Sequence, residues 1–166
     1  MLDERIALLQ SEIPDDPPVG FVPIPTGTGF NILMGPLFAR VVDGRLRIGM
    51  RIGQRHINPH QTCHGGILAS FADMQVYAAQ MDPRLKNTLL PTMNLSIDFL
   101  APVLLGDWLE GDTDLLRVSK TAVFLQSVGR VGGKPVFRSS GIYKLSGAAP
   151  PEGSSLGALF DDLAPG

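Results

Sequence analysis

Residues 65–81 form one helix-length run that is apolar on nearly every side. Ile67, Phe71, Met74, Ala78 and Met81 share a stripe, while Leu68, Ala72, Val76 and Ala79 fill much of the remaining surface. A helix of this kind must be covered on several sides, and the rest of the chain offers mainly strands to do it. Phe30–Val42 and Arg45–Ile52 read as two strands joined at Asp43-Gly44, a hairpin dipeptide. In the second, Leu46, Ile48 and Met50 alternate with Arg45, Arg47, Gly49 and Arg51, giving one apolar and one basic or small face. Pro83 helps stop the helix, after which Thr92–Ala101, Trp108–Ser119, Ala122–Val131 and Val136–Leu145 read as strands, with a tight turn at Gly132-Gly133. The expected fold is α+β, an antiparallel sheet wrapped around one long central α-helix.

The 166 residues suit one domain with a substantial core. Residues 1–29 hold a short amphipathic helix at 2–10 and a Pro/Gly-rich connector at 14–29, which runs over the surface or lies on a partner subunit. Residues 30–145 form the folded domain, and 146–166, rich in Gly, Ala, Ser and Pro, form a flexible tail. A net charge of −2 argues against a polyanionic partner, so no nucleic acid is expected. The single cysteine, Cys63, excludes an intrachain disulfide. The acidic start is unlike a signal peptide, and no apolar window reaches the ~18 residues of a membrane span, which makes the cytoplasm the expected location. His56, His60 and His64 recur every four residues in a loop, a poor match to a zinc site, so no metal is expected.

Asp73 is the one charged residue between Gly65 and Met81. A charge in an apolar helix is costly unless it is paired or used. Gly65 and Gly66 open the same helix and leave backbone N–H groups accessible to an approaching oxygen. An acid and a bare amide donor make half of a hydrolytic site. Asp73 follows His64 by nine residues, about 13 Å along the axis and half a turn around it. The two ends therefore do not easily meet at one carbonyl within a chain. Two such helices antiparallel across a two-fold axis bring Asp73 of one to Gly65 of the other, and closed two-fold dimers are the commonest oligomers. A homodimer, or a homotetramer built as a dimer of dimers, is the expected assembly.

The run from His56 through Asn58, His64-Gly65-Gly66 and on to Asp73 resembles the signature of hotdog-fold acyl-CoA thioesterases, closest to the phenylacetate-degradation branch. That pattern is an Asn, six residues to His-Gly-Gly, and an acid nine residues after the His. The later Asn94–Pro102 run resembles the family's strand that ends in an aromatic, two residues and Pro. The resemblance spans about residues 30–145 and implies an acyl-CoA substrate, free acid and coenzyme A as products, and no cofactor or metal. It gives the Gly65 N–H the role of oxyanion hole at the positive end of the helix. It gives Asp73 of the neighbouring subunit the role of general base or of nucleophile. Asn58 orients water or substrate, His64 fixes the loop or touches the thioester, and Thr92 aligns, one residue out of step, with a hydroxyl near the base.

Gly66 is assigned to substrate binding beside Gly65. Gln75 departs from the small residue usual two positions after the acid; it alters the acyl pocket or supplies a polar contact. Arg117 and Lys120, near a strand turn, are candidates for the phosphates of coenzyme A. Cys63 adjoins His64, but catalytic partners are seldom neighbours in sequence, which argues against a thiol nucleophile. A non-catalytic acyl-CoA-binding module and a hotdog-fold hydratase or dehydratase are the alternatives. The first needs neither the acid nor the Asn, and the second wants its acid near the helix start.

Overall fold

The structure is a computed structural model that describes residues 15–25 and 29–150. The helix expected at residues 2–10 and most of the C-terminal tail lie outside this range. Seven strands form one antiparallel sheet: β1 Val22–Pro23, β2 Phe38–Val42, β3 Arg45–Arg51, β4 Thr92–Phe99, β5 Trp108–Val118, β6 Ala122–Val131 and β7 Lys134–Lys144. Their spatial order is β1-β2-β3-β5-β6-β7-β4. The two dipeptide turns do what their chemistry demands. Asp43 and Gly44 take φ of 51° and 72°, and Gly132 and Gly133 take 54° and 80°, the left-handed pairs that close tight hairpins.

Helix α2, Gly65–Met74, continues as a tighter 3₁₀ segment, Gln75–Met81. The expected rod is therefore present, but its last seven residues are wound differently. The hotdog architecture, a sheet folded about one central helix, is the result. Leu46, Ile48, Met50, Leu109, Phe137 and Phe71 are each at most 2% exposed and share one core. Phe71 meets Phe137 edge-on at 6.1 Å. The arginines that alternate with the β3 core residues point outward, where Arg45 pairs with Asp112 and Asp114 at 2.7 Å.

Three details of the structure refine the sequence reading. Phe30–Val42 is not one strand, because Phe30–Met34 forms a short helix, α1. Gly35, at φ 106°, stops it, and Pro36 prevents its resumption, so β2 begins only at Phe38. Within the Pro-rich connector, Val22–Pro23 pairs with β2, and Phe21 packs edge-on against Trp108 at 4.9 Å. The segment thus clads the chain's own sheet. Finally, β4 crosses to the far edge and pairs only with β7 among the described residues. Met93 and Phe99 on this edge are 63% and 54% exposed.

His56, read from the sequence as a loop residue, is 1% exposed. Its Nδ1 accepts from the Gly53 N–H at 2.9 Å, so the proton sits on Nε2, which donates to the Met34 carbonyl at 2.6 Å. The ring thereby ties the end of α1 to the loop before α2. Burial holds its pKa below the ordinary 6.5, the Met34 bond opposes that shift, Arg55 adds to it and Asp15 opposes it. The unfolded chain takes up this proton more readily than the folded one. Stability from this group is therefore complete above about pH 6.5 and is lost as pH falls toward the lowered folded value. Urea midpoints compared at pH 7.5 and 5.5 are expected to fall with acidity, and His56→Gln is expected to flatten that slope.

Candidate functional site

The N-terminus of α2 is built by His64. Its backbone is extended (φ −62°, ψ 134°) and its Nδ1 accepts from the Gly66 N–H at 2.9 Å, capping the helix. Ile67 and Leu68 N–H groups both reach the His64 carbonyl, at 2.9 and 3.2 Å. Among the described residues no acceptor meets the Gly65 N–H. It stands as the donor at the positive end of a ten-residue helix. Gly66, by contrast, spends its N–H on the cap.

Asn58 organises the preceding loop. Its Oδ1 accepts from His60 N–H at 2.9 Å and Thr62 N–H at 3.3 Å, and its Nδ2 donates to Thr62 Oγ1 at 3.0 Å. The side-chain amide carries two N–H donors, one of which is spent on Thr62. Cys63 is buried and its thiol is pushed up to about 12 by desolvation, which makes it a poor nucleophile.

At the other end of α2, Thr92 Oγ1 donates to Asp73 Oδ1 at 2.8 Å. Thr92 is the first residue of β4, so the edge strand orients the carboxylate. Tyr143 donates from its hydroxyl to the Asp73 main-chain oxygen at 3.4 Å. Burial, with the Asp73 charge adding to it, pushes the Tyr143 hydroxyl well above its usual pKa. Tyr77, one helical turn beyond Asp73, is raised by the same two causes, against a hydrogen bond with Asn31 of α1. Neither tyrosine nor Asn31 was anticipated from sequence; the i+4 spacing of Tyr77 from Asp73 was the available signal. A cavity of about 270 Å³ opens beside Asp73, lined among others by Tyr77, Gln80, Leu89 and Thr92. Gln80 donates to the Thr88 carbonyl at 3.5 Å, and its Oε1 is buried without a partner among the described residues.

Gln75, read from the sequence as altering the acyl pocket or supplying a polar contact, does not line the Asp73 cavity. It is 1% exposed and points into the sheet. At the change of winding its backbone N–H turns to the carbonyls of Ala72 and Asp73, and its side-chain Nε2 donates to Phe71 O at 3.2 Å. Its Oε1 accepts from Thr113 Oγ1 at 3.2 Å, and Thr113 meets Ser127 at 3.0 Å. The room for this amide comes from Gly111, where a Cβ would sit 2.1 Å from Gln75 Oε1. The residue therefore braces the helix directly after Asp73. Arg117 stands in one row with Phe124, Ile142 and Asn94, and Lys120 lies in the β5–β6 turn. Neither lines the Asp73 cavity.

Among the described residues no group of His, Cys, Asp and Glu side chains is placed to hold a metal ion, and no helix is long and apolar enough to cross a membrane. The sequence profile of the thioesterase superfamily matches residues 60–132, which contain the α2 start, Asp73 and Thr92. An inferred esterase of Pseudomonas aeruginosa is 30% identical over 129 residues, covering 77% of this chain and 96% of that protein. The crystal structure of zebrafish thioesterase superfamily member 2 superposes with a TM-score of 0.64 at 18% identity, over 72% of this chain and 88% of that one. The Escherichia coli PaaI protein from the phenylacetic acid degradation operon gives 0.56 at 25% identity, over 64% and 75%. A hypothetical thioesterase of Streptococcus pneumoniae, solved with coenzyme A, gives 0.60 at 17% identity, over 78% and 98%.

Proposed function

From the premise that this chain belongs to the hotdog-fold thioesterase superfamily, we propose that it hydrolyses acyl-CoA thioesters at a site shared between two protomers. The observation that carries this reading is the placement of the two candidate groups at opposite ends of one exposed strand. Asp73 is bonded to Thr92, the first residue of β4, while Gly65 packs beside Phe99, its last. The β4 edge is open on one side and carries exposed apolar side chains, a surface that calls for cover. Antiparallel pairing of β4 with its two-fold copy puts the start of one strand beside the end of the other. Asp73 of one protomer then approaches Gly65 of its partner, an approach that the spacing along a single helix disfavours.

In that arrangement the free Gly65 N–H donates to the thioester oxygen and, backed by the helix dipole, stabilises the charge that builds on it. Asp73 works from the other face as general base for water or as nucleophile, with Thr92 fixing one carboxylate oxygen. Asn58 and His64 hold the loop that presents Gly65. The leaving group is the thiol of coenzyme A.

A panel of acetyl, medium-chain, long-chain and aromatic acyl-CoA thioesters, followed by free-thiol release, tests the proposal. Turnover is expected with at least one class. A protein that hydrates an enoyl-CoA while releasing no thiol from any thioester would replace hydrolysis by hydratase chemistry.

A further inference from the structure

The cavity beside Asp73 is walled in part by the last described residues of the chain. Beyond β7 the backbone stays on the molecule. Lys144 N–H donates to Pro91 O at 2.8 Å, and Leu145 N–H to Thr121 O at 2.9 Å. Leu89 then engages the next three residues with both of its backbone groups. Its N–H donates to Ala148 O at 2.8 Å, and its carbonyl accepts from Ser146 Oγ at 2.6 Å. Ser146 Oγ also accepts from the Ala148 N–H at 3.2 Å, closing a small turn. This strap delivers Pro150 into the wall of the cavity that Asp73 also lines.

The remaining lining is mostly hydrocarbon, with Met74, Val76, Leu89, Leu90 and Pro91 around Asp73, Tyr77 and Gln80. About 270 Å³, at roughly 30 Å³ for each water-sized group, holds about nine heavy atoms. That is a medium-length acyl tail, and Pro150 stands in the wall that a much longer one would run against. Apolar walls with a few polar groups at the reacting end are what a tail pocket requires.

We propose that the strap at residues 145–150 limits the acyl tail this protein accepts to medium length, with Ser146 as its latch and Pro150 as its wall. The inference rests on the thioesterase reading for the chemistry at Asp73, but not for the size of the pocket. A pocket that excludes by steric closure discriminates through the ratio of kcat/KM between competing substrates.

The test uses the full chain with octanoyl-CoA and palmitoyl-CoA. Hydrolysis is read as free thiol, and binding of the same two thioesters is read separately in the Asp73→Asn background. The wild type is expected to favour octanoyl-CoA. Ser146→Ala, which unlatches the strap, and Pro150→Gly, which removes the wall and keeps the latch, are each expected to raise the palmitoyl-to-octanoyl ratio by about ten-fold. The same shift is expected in the binding constants. Folded variants that both keep the wild-type ratio overturn the strap. A wild type that releases no thiol, in a protein whose binding still shows the length cut-off and its relief, supports the strap and overturns hydrolysis. Absence of binding by either thioester overturns both.

Discussion

Asp73→Asn is expected to lower kcat by about 10²–10⁴-fold and to leave KM within a few-fold of wild type. The substitution is nearly isosteric, and the amide oxygen can still accept from Thr92, so the 2.8 Å bond that orients the group has a replacement. What is lost is the ability to take a proton from water or to attack a carbonyl. The group sits at the rim of the cavity rather than in the core, so the fold is expected to survive, as melting and size measurements would show. Thiol release from the best substrate of the panel, measured at saturation and well below it, separates the two parameters. A variant with near-normal kcat would remove Asp73 from the chemistry altogether.

The second large effect is expected at Gly65 and depends on which protomer supplies which group. Gly65 is the first residue of α2, the position where proline is best tolerated, because that N–H has no partner within the helix. His64 already has the extended backbone that a following proline prefers. Gly65→Pro therefore deletes the donor while keeping the helix start. The Phe99 ring must yield slightly, since a Cβ at this position lies 3.3 Å from it. The expected loss in kcat is about 10²–10³-fold, the usual worth of one oxyanion donor.

Mixing this variant with Asp73→Asn under conditions that exchange subunits then gives a diagnostic result. If each site takes Gly65 from one protomer and Asp73 from the other, every hybrid dimer contains one doubly damaged site and one intact site. Random mixing makes half of the dimers hybrid, so about a quarter of wild-type activity should return. If both groups come from the same protomer, every site stays damaged and nothing returns. Mass spectrometry of the mixture under native conditions confirms that exchange has occurred.

Much of the architecture was legible because local signals agreed with one another. The Asp43-Gly44 turn, the alternation of Leu46, Ile48 and Met50, and the all-round apolarity of 65–81 each point to the same buried helix on an antiparallel sheet. The short α1 helix is not legible in Phe30–Val42, where only Gly35-Pro36 argues against one continuous strand. His56 was missed because burial of a loop residue depends on what packs over it, here the end of α1. At the site, a lone acid in an apolar helix and a glycine pair at its start were readable without coordinates. The fate of Gln75 was not. Its inward turn depends on the space left by Gly111, 36 residues away in sequence on β5. The link between Thr92 and Asp73 needs the β4 crossover, which no local pattern encodes.

The change from α to 3₁₀ winding after Met74 decides the shape of the lane beside Asp73. With three residues per turn, side chains at i and i+3 eclipse, so Tyr77 and Gln80 stand in file along the cavity. Continued α winding would rotate the second of them by about 60° out of line. The two side chains therefore meet the cavity one above the other along a single face of the segment, where α winding would spread them around it.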